Sequence, residues 1–141
     1  FARCVYRSDN NVVDHQSVLM QFTGGVTAVL DMHAFAQNTY RETKIVGTKG
    51  EIVAKFGETC SITVNSFTPV DTFCARTYSV PVGASGHGGG DQGIANSFIS
   101  YLFEGKNSKH ISSLEVSVAS HKMAFAAEKS RLNHGIPVSL K

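Results

Sequence analysis

A glycine-rich stretch contains the residues of this sequence that are best suited to chemistry. It reads SGHGGGDQG over residues 85–93 and places His87 four positions before Asp91. An imidazole can donate or accept a proton near neutral pH, and a carboxylate can accept two hydroxyl hydrogen bonds. Such a pair suits a ligand with several hydroxyl groups, for example a sugar or a polyol. The alternative is a glycine joint in which Asp91 complements the helix dipole. On the residues alone this joint is favoured, because caps and turns outnumber binding sites.

The same glycines match the spacing of a dinucleotide-binding loop, G-x-G-x-x-G, over residues 88–93. Three features argue against that function. Asp91 falls in the first turn of the predicted helix, where a pyrophosphate needs free amide groups. The preceding strand, RTYSVPV, is half polar, whereas a central parallel strand is almost wholly apolar. The acidic residue expected about 20 positions later would be Glu115, in a predicted helix. We therefore expect no nucleotide to bind to these glycines.

The other polar side chains are weaker candidates. Asp31 and His33 share a face of one predicted strand, while the adjacent Asp14 and His15 should point to opposite faces. A metal site needs three or four convergent ligands. A set built from Asp31, His33 and Gln16 has no further support, and a polar patch on a strand is favoured. We expect no metal site.

The composition indicates one globular domain over all 141 residues. Hydrophobic residues make up 42% and charged residues 17%, which excludes a disordered chain. The net charge of +2 comes from scattered basic residues, and no apolar run reaches the roughly 20 residues that span a bilayer. Neither nucleic acid nor a membrane is therefore a predicted partner. The three separated cysteines favour free thiols in the reducing cytoplasm. The missing initial methionine leads us to expect a piece of a longer protein.

Alternating and apolar runs predict strands through the first two thirds of the chain. The first two strands flank Gly24-Gly25, which predicts a hairpin with a two-residue loop. That register places Leu19 opposite Leu30 and Ser17 opposite Met32. It leaves both faces substantially apolar, so each face should be covered. Short separations predict an antiparallel meander for the remaining strands. The predicted strands are 12–22, 26–35, 41–47, 51–56, 61–67 and 76–82.

Two helices are predicted in the last third. The first begins at residue 90 or 91 and ends before Gly105. The second begins with a capping box of Ser112 and Glu115 and ends at Gly135. It carries two apolar stripes and therefore needs two neighbours, the sheet and either the first helix or a layer outside this sequence. The stripes are Leu114, Val118, Phe125 and Leu132 on one side, and Val116, Ala119, Met123, Ala126 and Ala127 on the other.

Four segments, taken in order, resemble the C-terminal domain of the Gfo/Idh/MocA family (glucose–fructose oxidoreductase, inositol dehydrogenase and MocA). They are DNNVVDHQSVLMQFTGGVTAVLDMHAF, GTKGEI, GHGGGDQG and SLEVSVASHKMAFAAEKSRLNHGIPV, and they cover nearly the whole chain. The resemblance implies an α+β fold, an open and mainly antiparallel sheet with helices on one face, whose other face commonly makes the oligomer contact. It also implies a missing N-terminal Rossmann domain that binds NAD or NADP, with no cofactor bound to residues 1–141.

By this resemblance the chain is the substrate-binding and oligomerisation domain of an NAD(P)-dependent dehydrogenase that acts on a sugar, an inositol or a related polyol. The glycine junction matches the place where such domains approach the substrate. His87 and Asp91 are therefore expected to contact substrate hydroxyls, with Arg41 and His33 as more distant candidates. The chain alone should be inactive and should form a homo-oligomer.

Two departures from the family limit the transfer of catalytic roles. The family's Glu-Lys-Pro motif does not occur here, because Glu128-Lys129 continues to Ser130. The family's Asp-x-x-x-His arrangement is reversed in His87 and Asp91, so we assign no catalytic residue. Two alternatives stay open: a non-catalytic dimerisation or sensing module, and a domain of an NAD-dependent glycoside hydrolase of the same family.

Overall fold

A computed structural model describes residues 3–67, 75–83, 86–104 and 113–140. These residues form an α+β fold with antiparallel strands, which confirms the predicted class. The strands divide into a two-stranded and a four-stranded sheet rather than forming one continuous sheet. The elements are β1 (His15–Gln21), β2 (Thr27–His33), β3 (Arg41–Val46), β4 (Gly50–Phe56), β5 (Cys60–Ser66), β6 (Ala75–Val80), α1 (Gly90–Glu104) and α2 (Leu114–Leu132), with 3-10 turns at Val5–Arg7 and Gly86–Gly89.

The chain forms two compact units. The first contains Phe1–Asn38 and Met123–Lys141, and the second contains Thr39–Lys122. The β1–β2 hairpin belongs to the first unit, and the four-stranded sheet and α1 belong to the second. Within the part of the chain that the structure describes, neither α-helix combines the length and the apolar character needed to cross a membrane.

A glycine loop joins β1 to β2 and sets their register. The Phe22 N–H donates to the Val26 carbonyl at 2.8 Å, and the Gly25 N–H donates to the Phe22 carbonyl at 3.2 Å. The loop therefore contains three residues, one more than predicted. Gly24 and Gly25 both adopt positive φ angles, 94° and 85°, which residues with a Cβ atom rarely adopt.

The additional loop residue moves every cross-strand pair by one position. Leu19 lies opposite Val29, not opposite Leu30 as predicted. Ser17 lies opposite Asp31. The prediction that both hairpin faces are substantially apolar is therefore wrong, because one face collects most of the apolar side chains and the other most of the polar ones. The apolar face carries Val18, Met20, Ala28, Leu30 and Met32 together with Gln16, and the polar face carries His15, Ser17, Gln21, Thr27, Asp31 and His33 together with Leu19 and Val29.

One face of the four-stranded sheet carries charges that pair with each other. The Nζ atom of Lys44 lies 2.9 Å from Glu51 Oε2, and that of Lys55 lies 3.1 Å from Glu42 Oε2. The Asn65 side-chain amide donates to Glu51 at 3.0 Å. The hydrogen bonds from Lys44 and then Asn65 lower the pKa of the Glu51 carboxyl below its ordinary value. This face is suited to contact with water.

The opposite face of the four-stranded sheet is apolar. Ala54, near its centre, is buried, while Ile45 and Tyr78 remain 57% and 52% exposed. Arg41 and Arg76 occupy diagonally opposite corners of this face. An apolar sheet face normally packs against a further layer. Its members are Ile45, Ile52, Ala54, Phe56, Ile62, Val64, Tyr78 and Val80.

The helices begin and end close to their predicted positions. Helix α1 begins at Gly90, as predicted. At the start of α2 the Val116 N–H donates to the Ser113 hydroxyl at 3.4 Å, so Ser113 is the capping residue. The predicted cap, Ser112, lies outside the described residues. Beyond α2, Gly135 has a φ of 82° and its N–H donates to the Ser130 carbonyl at 2.8 Å, which confirms the predicted stop.

The two apolar stripes of α2 differ in exposure. Phe125 and Leu132, on the first stripe, are exposed. On the second stripe, Met123, Ala126 and Ala127 are half-buried, whereas Val116 and Ala119 are exposed. The second stripe is therefore partly covered only in the C-terminal half of α2.

Candidate functional site

The glycine stretch before α1 contains a histidine in a left-handed backbone conformation. His87 has φ 52° and ψ 37°, and Gly88 has φ 66° and ψ 27°. This region costs an ordinary L-residue roughly 1–2 kcal/mol, although histidine adopts it more often than most. A simple joint would be less strained with glycine at position 87. His134, after α2, also has a positive φ, 58°, so what distinguishes His87 is the contact that its side chain makes.

Close contact between backbone segments explains the glycines on either side. The Gly83 N–H donates to the Gly88 carbonyl at 2.9 Å. A Cβ atom on Gly83 would lie 2.9 Å from Gly89 Cα, and one on Gly88 would lie 3.0 Å from Val82 Cγ1. A side chain at position 83 would therefore require the backbone to shift, and one at position 88 would require the Val82 side chain to move. The segment that follows β6 packs directly against the turn that carries His87.

The turn and the first turn of α1 bring His87 and Asp91 together. The His87 Nδ1 atom lies 2.9 Å from Asp91 Oδ2 and 3.0 Å from Oδ1. In the neutral imidazole, a proton on Nδ1 donates to the carboxylate and the lone pair on Nε2 remains available. The side chains are 85% and 64% exposed. A ligand in solution can therefore reach both of them.

The pair can perform two kinds of hydrogen bonding at once. The His87 Nε2 atom can accept a hydrogen bond or a proton from a hydroxyl group, while each Asp91 oxygen has a second lone pair. Asp91 also lies in the first turn of α1, where a negative charge complements the helix dipole. Both predicted roles of Asp91, capping and ligand contact, fit this geometry.

The junction does not fit a dinucleotide. A pyrophosphate would bind where the Asp91 carboxylate lies, beside the first amide groups of α1. The preceding strand, β6, is at the edge of an antiparallel sheet, not at the centre of a parallel one. A nicotinamide nucleotide bound at residues 88–93 would therefore bring its pyrophosphate against the Asp91 carboxylate.

The other two predicted site residues are placed on different elements. Arg41 begins β3, opposite Phe56, at a corner of the apolar sheet face. His33 ends β2 in the first unit, opposite His15. Within the second unit, His87 and Asp91 are in contact, and no hydrogen bond or ion pair between described residues joins Arg41 to them.

Sequence reasoning missed a second group of polar contacts, on the hairpin. The Asp14 Oδ1 atom lies 2.6 Å from His15 Nδ1, although opposite faces were predicted for these neighbours. Asp14 precedes β1, so the alternation of strand side chains does not apply to it. The Ser17 hydroxyl donates to Asp31 Oδ1 at 2.6 Å across the strands. The correct loop length would have predicted this second contact.

Neither comparison with known proteins nor the grouping of possible metal-binding side chains assigns a function to this site. No family model, curated protein or solved structure matches the chain. The likeness to the Gfo/Idh/MocA family stays a prediction from the four sequence segments. Over residues 3–67, 75–83, 86–104 and 113–140, no three or more His, Cys, Asp or Glu side chains converge as metal ligands would.

Proposed function

We propose that this chain is the substrate-binding and oligomerisation domain of an NAD(P)-dependent oxidoreductase that acts on a sugar, an inositol or a related polyol. The observation that carries the proposal is the exposed His87–Asp91 pair, held on a left-handed backbone at the start of α1. The sequence segments that resemble the Gfo/Idh/MocA family support the same function.

The pair would bind and orient the substrate. A polyol presents hydroxyl groups on neighbouring carbons, so one can donate to His87 Nε2 while another donates to Asp91. The bound nicotinamide supplies the hydride chemistry, and it would be held by an additional domain because the glycine junction does not fit it. Fixing the substrate in one orientation is the contribution expected of this chain.

The apolar face of the four-stranded sheet would contact a second copy of the chain. Strand spacing of about 4.8 Å and a rise of about 3.3 Å per residue give this face a planar area of roughly 400 Å². A standard interface buries about 800 Å² per partner, so the face would form the centre of the interface. Its corner positions would keep Arg41 and Arg76 at the polar rim.

Light scattering on matched variants tests this contact. Tyr78 and Ser79 are neighbours on β6. The Tyr78 side chain lies on the apolar face of the sheet and the Ser79 side chain lies on the polar face. The wild-type chain and Ser79→Glu should have a dimeric mass at micromolar concentration, while Tyr78→Glu should be monomeric because it buries a charge in the interface. A monomeric wild-type mass would contradict the proposal.

We also propose that the protein is located in the cytoplasm. Cys4 and Cys60 are free thiols in the structure, and free thiols persist in a reducing compartment. Cys74 lies outside the described residues. Alkylation of intact cells with a membrane-permeant reagent should modify Cys4, which is exposed, whereas an oxidised Cys4 would argue for another compartment.

Turnover by the full-length protein tests the redox function. With NAD or NADP and a panel of sugars and inositols, at least one substrate should yield reduced nicotinamide and an oxidised product. His87→Asn should lower kcat/KM about tenfold, the effect of losing one hydrogen bond of about 1.4 kcal/mol. Cleavage of a glycosidic bond without net redox would indicate the glycoside hydrolase. Absence of both turnover and nucleotide binding would indicate the non-catalytic module.

A further inference from the structure

The backbone hydrogen bonds of the hairpin place His15 and His33 in a close cross-strand pair. The Phe22 N–H bonds to Val26 at one end of the ladder, and the Ala34 N–H donates to the Asp14 carbonyl at 2.7 Å at the other end. Hydrogen-bonded and non-hydrogen-bonded pairs alternate between these ends. His15 and His33, directly opposite each other, form a non-hydrogen-bonded pair. In such pairs the Cα atoms are about 4.5 Å apart and the side chains approach closely.

A neighbouring pair on the same face shows that the side chains meet. Ser17 and Asp31 are also a non-hydrogen-bonded pair, two residues further along each strand. Their side chains form a hydrogen bond of 2.6 Å. His15 and His33 have the same backbone relationship and longer side chains, so both imidazoles can reach a common point above the sheet.

The Asp14 carboxylate determines which nitrogen of His15 is available. Its contact with Nδ1, at 2.6 Å, leaves the lone pair on Nε2 for another ligand. Histidines that bind metal ions commonly donate their other ring nitrogen to a carboxylate in this way. The His15 side chain is 80% exposed, so an ion in solution can reach it.

The charges around the two histidines favour a cation. Asp14 contacts His15, and Asp31 lies on the same face as both histidines. Among the described residues, neither aspartate pairs with a lysine or an arginine. The two carboxylates can therefore balance the charge of a divalent ion. On the four-stranded sheet, in contrast, Lys44 and Lys55 already neutralise the acidic residues.

We propose that His15 and His33 form a two-histidine site for a divalent transition-metal ion, with Asp14 as a positioning residue. Imidazole nitrogen suits Zn²⁺, Ni²⁺ and Cu²⁺, and Zn²⁺ is the ion that we assign to the site. Two protein ligands leave coordination positions open to water or to a further ligand. The site therefore differs from a closed structural zinc site, which has four protein ligands.

Calorimetric titration of the chain with Zn²⁺ alone tests the site. The wild-type chain should bind one ion, and His15→Ala and His33→Ala should each lose that binding. Asp14→Asn should weaken it by about 10–100-fold, the usual effect of removing a carboxylate behind a metal-bound histidine, and Asp14→Glu should restore most of the affinity. His121→Ala is the matched control, because His121 is exposed on α2 with its Nδ1 atom 2.7 Å from the Ser117 carbonyl.

Specific outcomes would overturn the site. Zn²⁺ binding that survives His33→Ala, or that disappears in His121→Ala or His87→Ala, would place the ion elsewhere. A wild-type chain that takes up no Zn²⁺ at millimolar concentration would exclude the site altogether. The polar variant His33→Asn should also lose Zn²⁺ binding. Circular dichroism of both His33 variants shows whether the hairpin still folds, so that loss of the metal-binding side chain is distinguished from loss of the fold. None of these results depends on the function proposed for His87 and Asp91.

Discussion

Two histidine–aspartate pairs lie among the residues that the structure describes, and the backbone holds them in different ways. His87 and Asp91 are four residues apart, and one imidazole nitrogen lies within 3.0 Å of both carboxylate oxygens. Asp14 and His15 are neighbours that share one contact of 2.6 Å. His87 has a left-handed backbone conformation, whereas His15 is in a strand.

In our two proposals, the surroundings of the two pairs give the same two side chains separate roles. At His87 the backbone conformation itself is costly, and among the described residues the exposed imidazole contacts Asp91. At His15 the conformation is relaxed, and the strand register supplies a second histidine directly opposite. The first arrangement fits a hydroxyl-bearing ligand, and the second fits a cation.

The largest expected effect comes from filling the space beside the His87 turn. Gly83→Ala would place a Cβ atom against the backbone of Gly88 and Gly89, so one segment must move. The free energy of unfolding should fall by about 1–3 kcal/mol, as in other overpacked sites. Gly93→Ala is the control, because α1 has open space at that position. It should raise the stability by up to about 1 kcal/mol. Equal urea midpoints for the two variants would show that the turn is not tightly packed.

A second prediction is that the glycine variant is the more stable one at position 87, whereas the alanine variant is the more stable one at position 15. At position 87 the left-handed penalty for alanine, roughly 1–2 kcal/mol, exceeds the entropic cost of glycine, roughly 0.5–1 kcal/mol. His87→Gly should therefore be more stable than His87→Ala. At position 15 the strand favours alanine, and His15→Ala should be the more stable variant. Urea denaturation of the four proteins measures this. If the same substitution gave the more stable protein at both positions, the described difference in backbone conformation between His87 and His15 would be contradicted.

The smallest effect concerns an ion pair that serves neither site. Hydrogen bonds from Lys44 and Asn65 lower the pKa of Glu51 below 4.5. A lowered folded-state pKa contributes stability that is complete above pH 4.5 and is lost as the pH falls through the lowered value. Glu51→Gln should therefore reduce the dependence of the urea midpoint on pH below 4.5. An unaltered acid profile for Glu51→Gln would contradict the pairing.

The sequence predicted those parts of the molecule in which a single residue type determines the local structure. The start of α1 followed from the glycine run and Asp91, whereas the hydrogen bond between His87 and Asp91 was not predicted. The hairpin register could not be predicted, because Thr23-Gly24-Gly25 allows loops of two or three residues and each choice pairs the strands differently. The adjacent serines 112 and 113 are equally suitable caps for α2. Nothing in the sequence marks a left-handed backbone at His87, because glycines are the usual signal for it.

The central claim is that His87 and Asp91 bind the hydroxyl groups of a polyol. Imidazole nitrogen resonances of the chain, recorded during titration with sugars and inositols, test it most directly. We predict that the Nε2 resonance of His87 shifts and saturates with at least one of these compounds, while the resonances of His15 and His121 stay in place. A His87 resonance that is unchanged at saturating concentrations of every compound would contradict the claim.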